Sequence, residues 1–293
     1  MRNTAALAAL PEIALFTRDG RAQSQPQRVG GTYIKLSCNL YSFNTALTKR
    51  EMTLDQVLEY CAKLGFSAVD PTGYYFPNYP KLPSDEYVYH IKRMALMLGL
   101  NISGTGVRND FTDPDAGNRD ADVELVKGWI ECAARLGAPM LRVFAGRGVP
   151  DGHTRDEVLK WVVDGIRKCV DHGRKFGIMT VVQNHNDFLQ TPEDVLTVLR
   201  MVDSEWLALN LDIGSFRTGD TYEQIARVAP YAITWQIKEN VFVNSVETKT
   251  DLGKIAAILK GIKYRGYIQL ETLTGDPKIR MPNFLDEARK AIS

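Results

Sequence analysis

The chain has 293 residues, 44% of them hydrophobic, enough for one large core of barrel size. Its 36 basic and 35 acidic residues are evenly spread and leave a net charge of +1. No basic block draws it to nucleic acid or to an anionic membrane, and no apolar run approaches the roughly 20 residues of a membrane-spanning helix. Cys38, Cys61, Cys132 and Cys169 show no CxxC spacing and read as buried, unpaired thiols.

The N-terminus leaves two readings open. Met1-Arg2, the apolar stretch TAALAALPEIALF and small residues near Ala22 resemble a short export signal. Pro11 and Glu12 interrupt that stretch, which equally suits a frayed arm. Localisation, cytoplasmic or exported, stays open with it. In either case residues 1–31 stand outside the catalytic domain, and residues 32–293 are expected to form one domain.

From Tyr33 onward strands and helices alternate. Residues 34–43 read as a buried strand. Thr53 then caps a helix with apolar residues at Leu54, Val57, Leu58, Cys61 and Leu64, stopped by Gly65. A strand over 66–74 ends at Pro71 and Gly73. A helix over 84–98, a strand over 101–108, a helix over 120–136 and a strand over 139–146 follow. Thr154 opens a helix to Phe176, closed by Gly177. The second half repeats the rhythm: strand 179–185, helix 191–201, strand 207–213 and helix 221–229. Strand 232–239, helix 251–261, strand 266–271 and a helix near 283–292 complete it. Thr191-Pro192-Glu193 is a strong helix start. Such alternation means a parallel sheet covered by helices, and eight units at this length predict an α/β (β/α)8 barrel. An open doubly wound sheet usually has a Gly-rich turn after its first strand, and CNLYSFN contains no glycine.

Strands five to eight each end in two polar residues two positions apart. The pairs are Gln183/His185, Asn210/Asp212, Gln236/Lys238 and Gln269/Glu271. Residues i and i+2 of a strand share a face. In a barrel the C-terminal strand ends form the active site, so the pairs converge there. Arg142, Asp70 and Arg108, from the earlier strands, and Arg217 are candidate substrate contacts; rim salt bridges explain the arginines equally well. Tyr41, Tyr74, Tyr75, Phe76, Phe144 and Phe216 lie near strand ends, as sugar-stacking faces or as core.

The stretches AARLGAPMLRVFAG (133–146), VVQNH (181–185), LNLDIGSF (209–216), VAPYAITWQIKEN (228–240) and GYIQLET (266–272) occur in this order. With them the chain resembles the xylose isomerase-like barrel superfamily, in its sugar phosphate isomerase/epimerase group. That group shares its domain with type IV apurinic endonucleases. The resemblance spans about residues 34–273. It implies a single divalent metal held by Glu, Asp, His and Glu from strands five to eight. Here those places carry Gln183, Asp212, Gln236 and Glu271. Ser215 stands where many members have histidine.

The departure leaves two readings of the cofactor. In one, Asp212, Glu271 and the amide oxygens of Gln183 and Gln236 hold Mn²⁺, Mg²⁺ or Ca²⁺ in preference to Zn²⁺, with His185 on the same face as Gln183. In the other no metal binds, and the Lys238 ammonium takes its electrostatic role; a purely structural ion pair is the plain alternative. Glu271, Asp212, Lys238 and His185 are the catalytic candidates. The resemblance implies proton abstraction next to a carbonyl of a small sugar or sugar derivative, by an isomerase or epimerase. A lyase or dehydratase shares that first step, and a carbohydrate binder without catalysis is a third reading. The endonuclease branch needs a histidine-rich three-metal cluster. This chain has only His90, His153, His172 and His185, so no nucleic-acid partner is expected. A homo-oligomer is compatible with the sequence.

Overall fold

Threonine caps and left-handed glycines bound the helices where local sequence rules put them. The structure, a computed structural model, describes residues 25–293. The signal-like stretch at residues 1–24 lies outside the described residues. Thr53, Thr154 and Thr191 each accept the backbone N–H three residues on, and Gln56, Glu157 and Asp194 return the bond in a capping box. These caps open α2 (Leu54–Leu64), α5 (Arg155–Phe176) and α6 (Pro192–Val202). Gly65 and Gly177 close α2 and α5 in the left-handed conformation.

The parallel strands are β1 (Tyr33–Asn39), β2 (Ala68–Asp70), β3 (Asn101–Ile102), β4 (Thr105–Gly106), β5 (Met140–Phe144), β6 (Met179–Gln183), β7 (Leu207–Asp212), β8 (Ala232–Lys238) and β11 (Arg265–Glu271). Their order is β3-β2-β1-β11-β8-β7-β6-β5-β4. The expected third strand is split: β3 pairs with β2, β4 pairs with β5, and Ser103-Gly104 lie between. The sheet thus curls into a nearly closed barrel. Its helices are α1 (Asn44–Thr48), α2, α3 (Asp85–Met97), α4 (Ala116–Leu136), α5, α6, α7 (Thr221–Val228), α8 (Leu252–Gly261) and α9 (Pro277–Ile292).

Several boundaries differ from the sequence reading. The predicted strand over 34–43 stops at Asn39, whose side chain caps a 3₁₀ turn over 40–43. Helix α4 begins four residues early, because Asp115 accepts the N–H groups of Gly117 and Asn118. Helix α9 starts at Pro277 behind its Asp276 cap and carries Pro282 within it. An antiparallel hairpin of β9 (Asn240–Val243) and β10 (Val246–Lys249) was not predicted. Asn244 and Ser245, both at positive φ, make its turn.

The main apolar core lies between sheet and helices, with Trp129, Phe111 and Trp235 fully buried. All the cysteines are free and buried, as expected. Inside the barrel a small apolar plug of Met140, Val181 and Ala208 packs on Met179 and Ile233. Toward the C-terminal strand ends the interior turns polar. Ser37, Asn39, Asp70, Ser103, Gln183, Asp212, Gln236, Gln269 and Glu271 are all buried there. Buried polar groups are costly unless hydrogen-bonded, so a barrel filled this way must be networked.

Candidate active site

Strand register sets the height of each polar side chain. Gln183 lies beside Asn210, Asp212 beside Gln236, and Glu271 beside Lys238. A register irregularity at Leu209/Asn210 leaves Ile233 unmatched, and Asn210 pairs with Thr234 instead. The predicted pairs on β7, β8 and β11 therefore occupy adjacent rows inside the barrel: Asp212, Gln236 and Gln269 share one, and Lys238 and Glu271 the next.

There they form a single hydrogen-bonded network. Lys238 Nζ donates to Glu271 Oε2 at 2.8 Å and lies 3.2 Å from Asp212 Oδ2. Gln183 Nε2 donates to the same Asp212 oxygen at 2.7 Å, and its Oε1 accepts from Arg142 Nη1 at 3.1 Å. Arginine has no acceptor, so the oxygen end of Gln183 must face Arg142. Gln236 Nε2 donates to Glu271 Oε2 at 3.0 Å, and its Oε1 accepts from Asn210 at 2.6 Å. Each glutamine thus gives its N–H to a carboxylate and turns its oxygen away. Burial alone would push the Lys238 ammonium toward lower pKa. The Asp212 and Glu271 carboxylates outweigh that and hold it well above the ordinary lysine value.

Asp70 and Arg142 form the floor. Asp70 Oδ2 accepts from Gln269 Nε2 at 2.9 Å, and Asn39 Nδ2 donates to Gln269 Oε1 at 2.9 Å. Asp70 Oδ1 is buried without a hydrogen-bond partner. Burial raises the Asp70 carboxyl to about 6, against the pull of Arg142 and the Gln269 hydrogen bond. The Arg142 guanidinium also donates to the Tyr74 hydroxyl at 3.2 Å and lies 4.7 Å from the centre of the Phe144 ring. Gly106 makes room for it, since a Cβ there would stand 2.5 Å from Arg142 Nη2.

Above the network opens a cavity of about 330 Å³, lined by Lys238, Asp212, Glu271, both glutamines and Arg142. The size suits a small ligand. Arg108 and Arg217 sit at its exposed rim, over the rings of Tyr74 and Phe242 at 5.3 and 4.9 Å. Tyr41, Tyr74 and Phe144 line it; Phe76 and Phe216 are core. Glu239 lines it too, held by Arg280.

His185 departs from the sequence reading. Strand β6 ends at Gln183, and the chain turns so that the His185 N–H bonds to the Gln183 carbonyl. The i, i+2 rule no longer applies there. The imidazole is 48% exposed at the rim, 2.7 Å from Asp187 and edge-on to Phe144. The neighbour Asn184, which the sequence reading passed over, clamps Asp212 instead. Asn184 Oδ1 accepts the Asp212 N–H at 2.8 Å, and its Nδ2 donates to the Asp212 carbonyl at 2.9 Å. A polar side chain on the outward face of an apolar strand was the available signal. Asn240, Phe242 and Glu247 of the hairpin were also missed as part of the mouth.

The model of the xylose isomerase-like TIM barrel family matches residues 58–291. The chain belongs to the xylose isomerase-like TIM barrel family. No curated protein sequence matches it. A D-psicose 3-epimerase from Clostridium cellulolyticum is similar in structure, with a TM-score of 0.72 at 15% identity, covering 88% of this chain and 99% of that one. The E. coli 3-keto-D-glucoside 4-epimerase YcjR gives 0.70 at 14%, again over 88% and 99%. The probable 3-DHS dehydratase AsbF from Bacillus anthracis gives 0.68 at 14%, over 88% and 98%. At these identities the likeness is one of fold.

The arrangement in this xylose isomerase-like barrel does not fit a divalent cation. Lys238 Nζ already lies between the two carboxylates, and both glutamines aim N–H groups at them. Among the described residues no cluster of three or more His, Cys, Asp or Glu could ligate a metal. Gly214 is part of the arrangement: a Cβ there would stand 2.8 Å from Lys238 Cδ. Gly214→Ala therefore displaces the lysine stem. It is expected to lower turnover on the order of tenfold to a hundredfold while moving the urea midpoint little. Unchanged turnover would show that the lysine position does not matter.

Proposed function

We propose that this barrel is an isomerase or epimerase of a sugar or sugar derivative, working by proton transfer next to a carbonyl. The observation that carries this reading is the Asp212–Lys238–Glu271 triad lining the cavity. One carboxylate takes the proton from the carbon beside the carbonyl. The C–H electron pair becomes part of a new C=C bond, and the carbonyl π pair moves onto oxygen. An ammonium has three N–H bonds, and two of those on Lys238 face carboxylates. The third, on a side chain that stays 14% exposed, donates to that oxygen. Return of a proton to the opposite face of the same carbon inverts it. Return to the former carbonyl carbon, with the neighbouring hydroxyl's proton passing to the former carbonyl oxygen as the new carbonyl forms, interconverts aldose and ketose. The aromatic walls at Tyr41, Tyr74 and Phe144 suit the C–H face of a sugar, and Arg108 and Arg217 suit hydroxyl or anionic groups beyond the reacting carbons.

Similarity to sugar epimerases supports this reading, and similarity to a dehydratase keeps the shared proton abstraction with a different exit. The test is NMR of a panel of keto- and aldo-sugars, including oxidised sugars, in D₂O with the protein and EDTA. Deuterium is expected to enter next to the carbonyl of at least one sugar, with an isomer as product. An unsaturated, dehydrated product would assign a lyase instead. No exchange across the panel would leave a carbohydrate binder, which equilibrium dialysis with the same sugars detects.

A further inference from the structure

Two buried carboxylates that point at one spot need a cation there, and in this barrel the chain supplies it. Asp212 Oδ2 and Glu271 Oε2 both contact Lys238 Nζ, so they lie within about 6 Å of each other. The residues around them are built for a lysine. Gly214 leaves open the volume through which the Lys238 stem passes. Gln183 and Gln236 present N–H groups, which repel a metal ion and satisfy carboxylates. The Gln183 orientation is locked from behind by Arg142, and that of Gln236 by Asn210. Arg142 in turn has its own place over the glycine at 106. The lysine, both amides, both glycines and the arginine are thus mutually consistent.

We propose that the Lys238 ammonium is a built-in cation occupying the position of a divalent ion, and that its removal uncovers a metal site anchored by Asp212 and Glu271. The inference takes only the location of the site from the functional reading above. Its oxygen-only donors suit Mn²⁺ or Mg²⁺, with water completing the shell. With Arg142 still holding the Gln183 oxygen, that site is weak. Adding a third carboxylate at position 183 strengthens it.

Full-length wild type, Lys238→Met and Lys238→Met/Gln183→Glu are titrated with Mn²⁺, free ion being read by electron paramagnetic resonance. Circular dichroism establishes that each is folded, and thermal midpoints are followed with and without Mn²⁺. Wild type is expected to bind no Mn²⁺ up to about 1 mM and to show no thermal shift. The single variant is expected to bind one ion with a Kd near 1 mM or below, and the double variant on the order of tenfold tighter. Both midpoints rise with Mn²⁺, and a further Glu271→Gln change removes the binding. If Lys238→Met does not fold, Lys238→Gln, whose amide still reaches a carboxylate, takes its place. One equivalent of Mn²⁺ on wild type, lost with Glu271→Gln, overturns the inference. So do folded variants that bind none. Absence of sugar proton exchange together with the expected metal pattern overturns only the isomerase reading.

Discussion

Replacing Glu271 by glutamine is expected to lower proton exchange next to the substrate carbonyl by about 10²- to 10⁴-fold, with the fold intact. The change is nearly isosteric. A glutamine oxygen still accepts from Lys238 Nζ and Gln236 Nε2, which now meet at Glu271 Oε2. What disappears is the negative charge and with it the basicity. The loss therefore falls on kcat, while KM for the sugar changes only a few-fold. Exchange followed by NMR in D₂O, with circular dichroism as the control for folding, measures it. A variant that keeps a third or more of the wild-type rate would remove Glu271 from the reaction. The same change at Asp212 is expected to be as costly, because Asp212 shares the ammonium and is clamped by Asn184 and by the Gly214 N–H.

Asp70→Asn is expected to stabilise the protein at neutral pH relative to its effect in acid. The Asp70 carboxyl titrates at about 6 in the folded protein against an ordinary value of 3.8. Burial is the cause; Arg142 and Gln269 offset only part of it. Between those two values the folded state holds a proton that the unfolded chain has lost. Stability consequently falls as pH rises through that window, and the loss is complete above about pH 6. Its size is bounded at about 3 kcal/mol. The asparagine has no such ionisation. Urea unfolding at pH about 4 and about 7.5 should therefore show the variant gaining on wild type at the higher pH. An equal difference at both would mean that Asp70 ionises as easily in the barrel as in water. The effect reaches the site, since an ionised Asp70 adds a negative charge under Arg142, which positions Gln183.

Much of the scaffold was legible in the chain. Helix boundaries at Thr53, Thr154 and Thr191 depend on bonds within four residues, so the residues themselves carry the signal. Barrel strands are continuous apolar runs for the same local reason. Asp115 and the Asn244-Ser245 turn are equally local features. The split third strand was not legible: the Arg142 guanidinium packs against Gly106, at the end of β4, from a neighbouring strand. His185 illustrates the limit of periodicity. Counting by two holds only while the strand lasts, and β6 ends at Gln183.

By itself the sequence determined the eightfold alternation and placed Gln183, Asp212, Gln236, Lys238 and Glu271 on the strands where the structure gathers them. It left open whether two amides and a lysine serve a metal or replace it. Only the tertiary structure decided how those groups face one another. The amide orientations follow from Arg142 and Asn210 on neighbouring strands, and the ammonium lies between carboxylates from β7 and β11. Hydrogen-bond polarity and charge pairing act across strands, between residues up to tens of positions apart in the chain, and no local pattern records them.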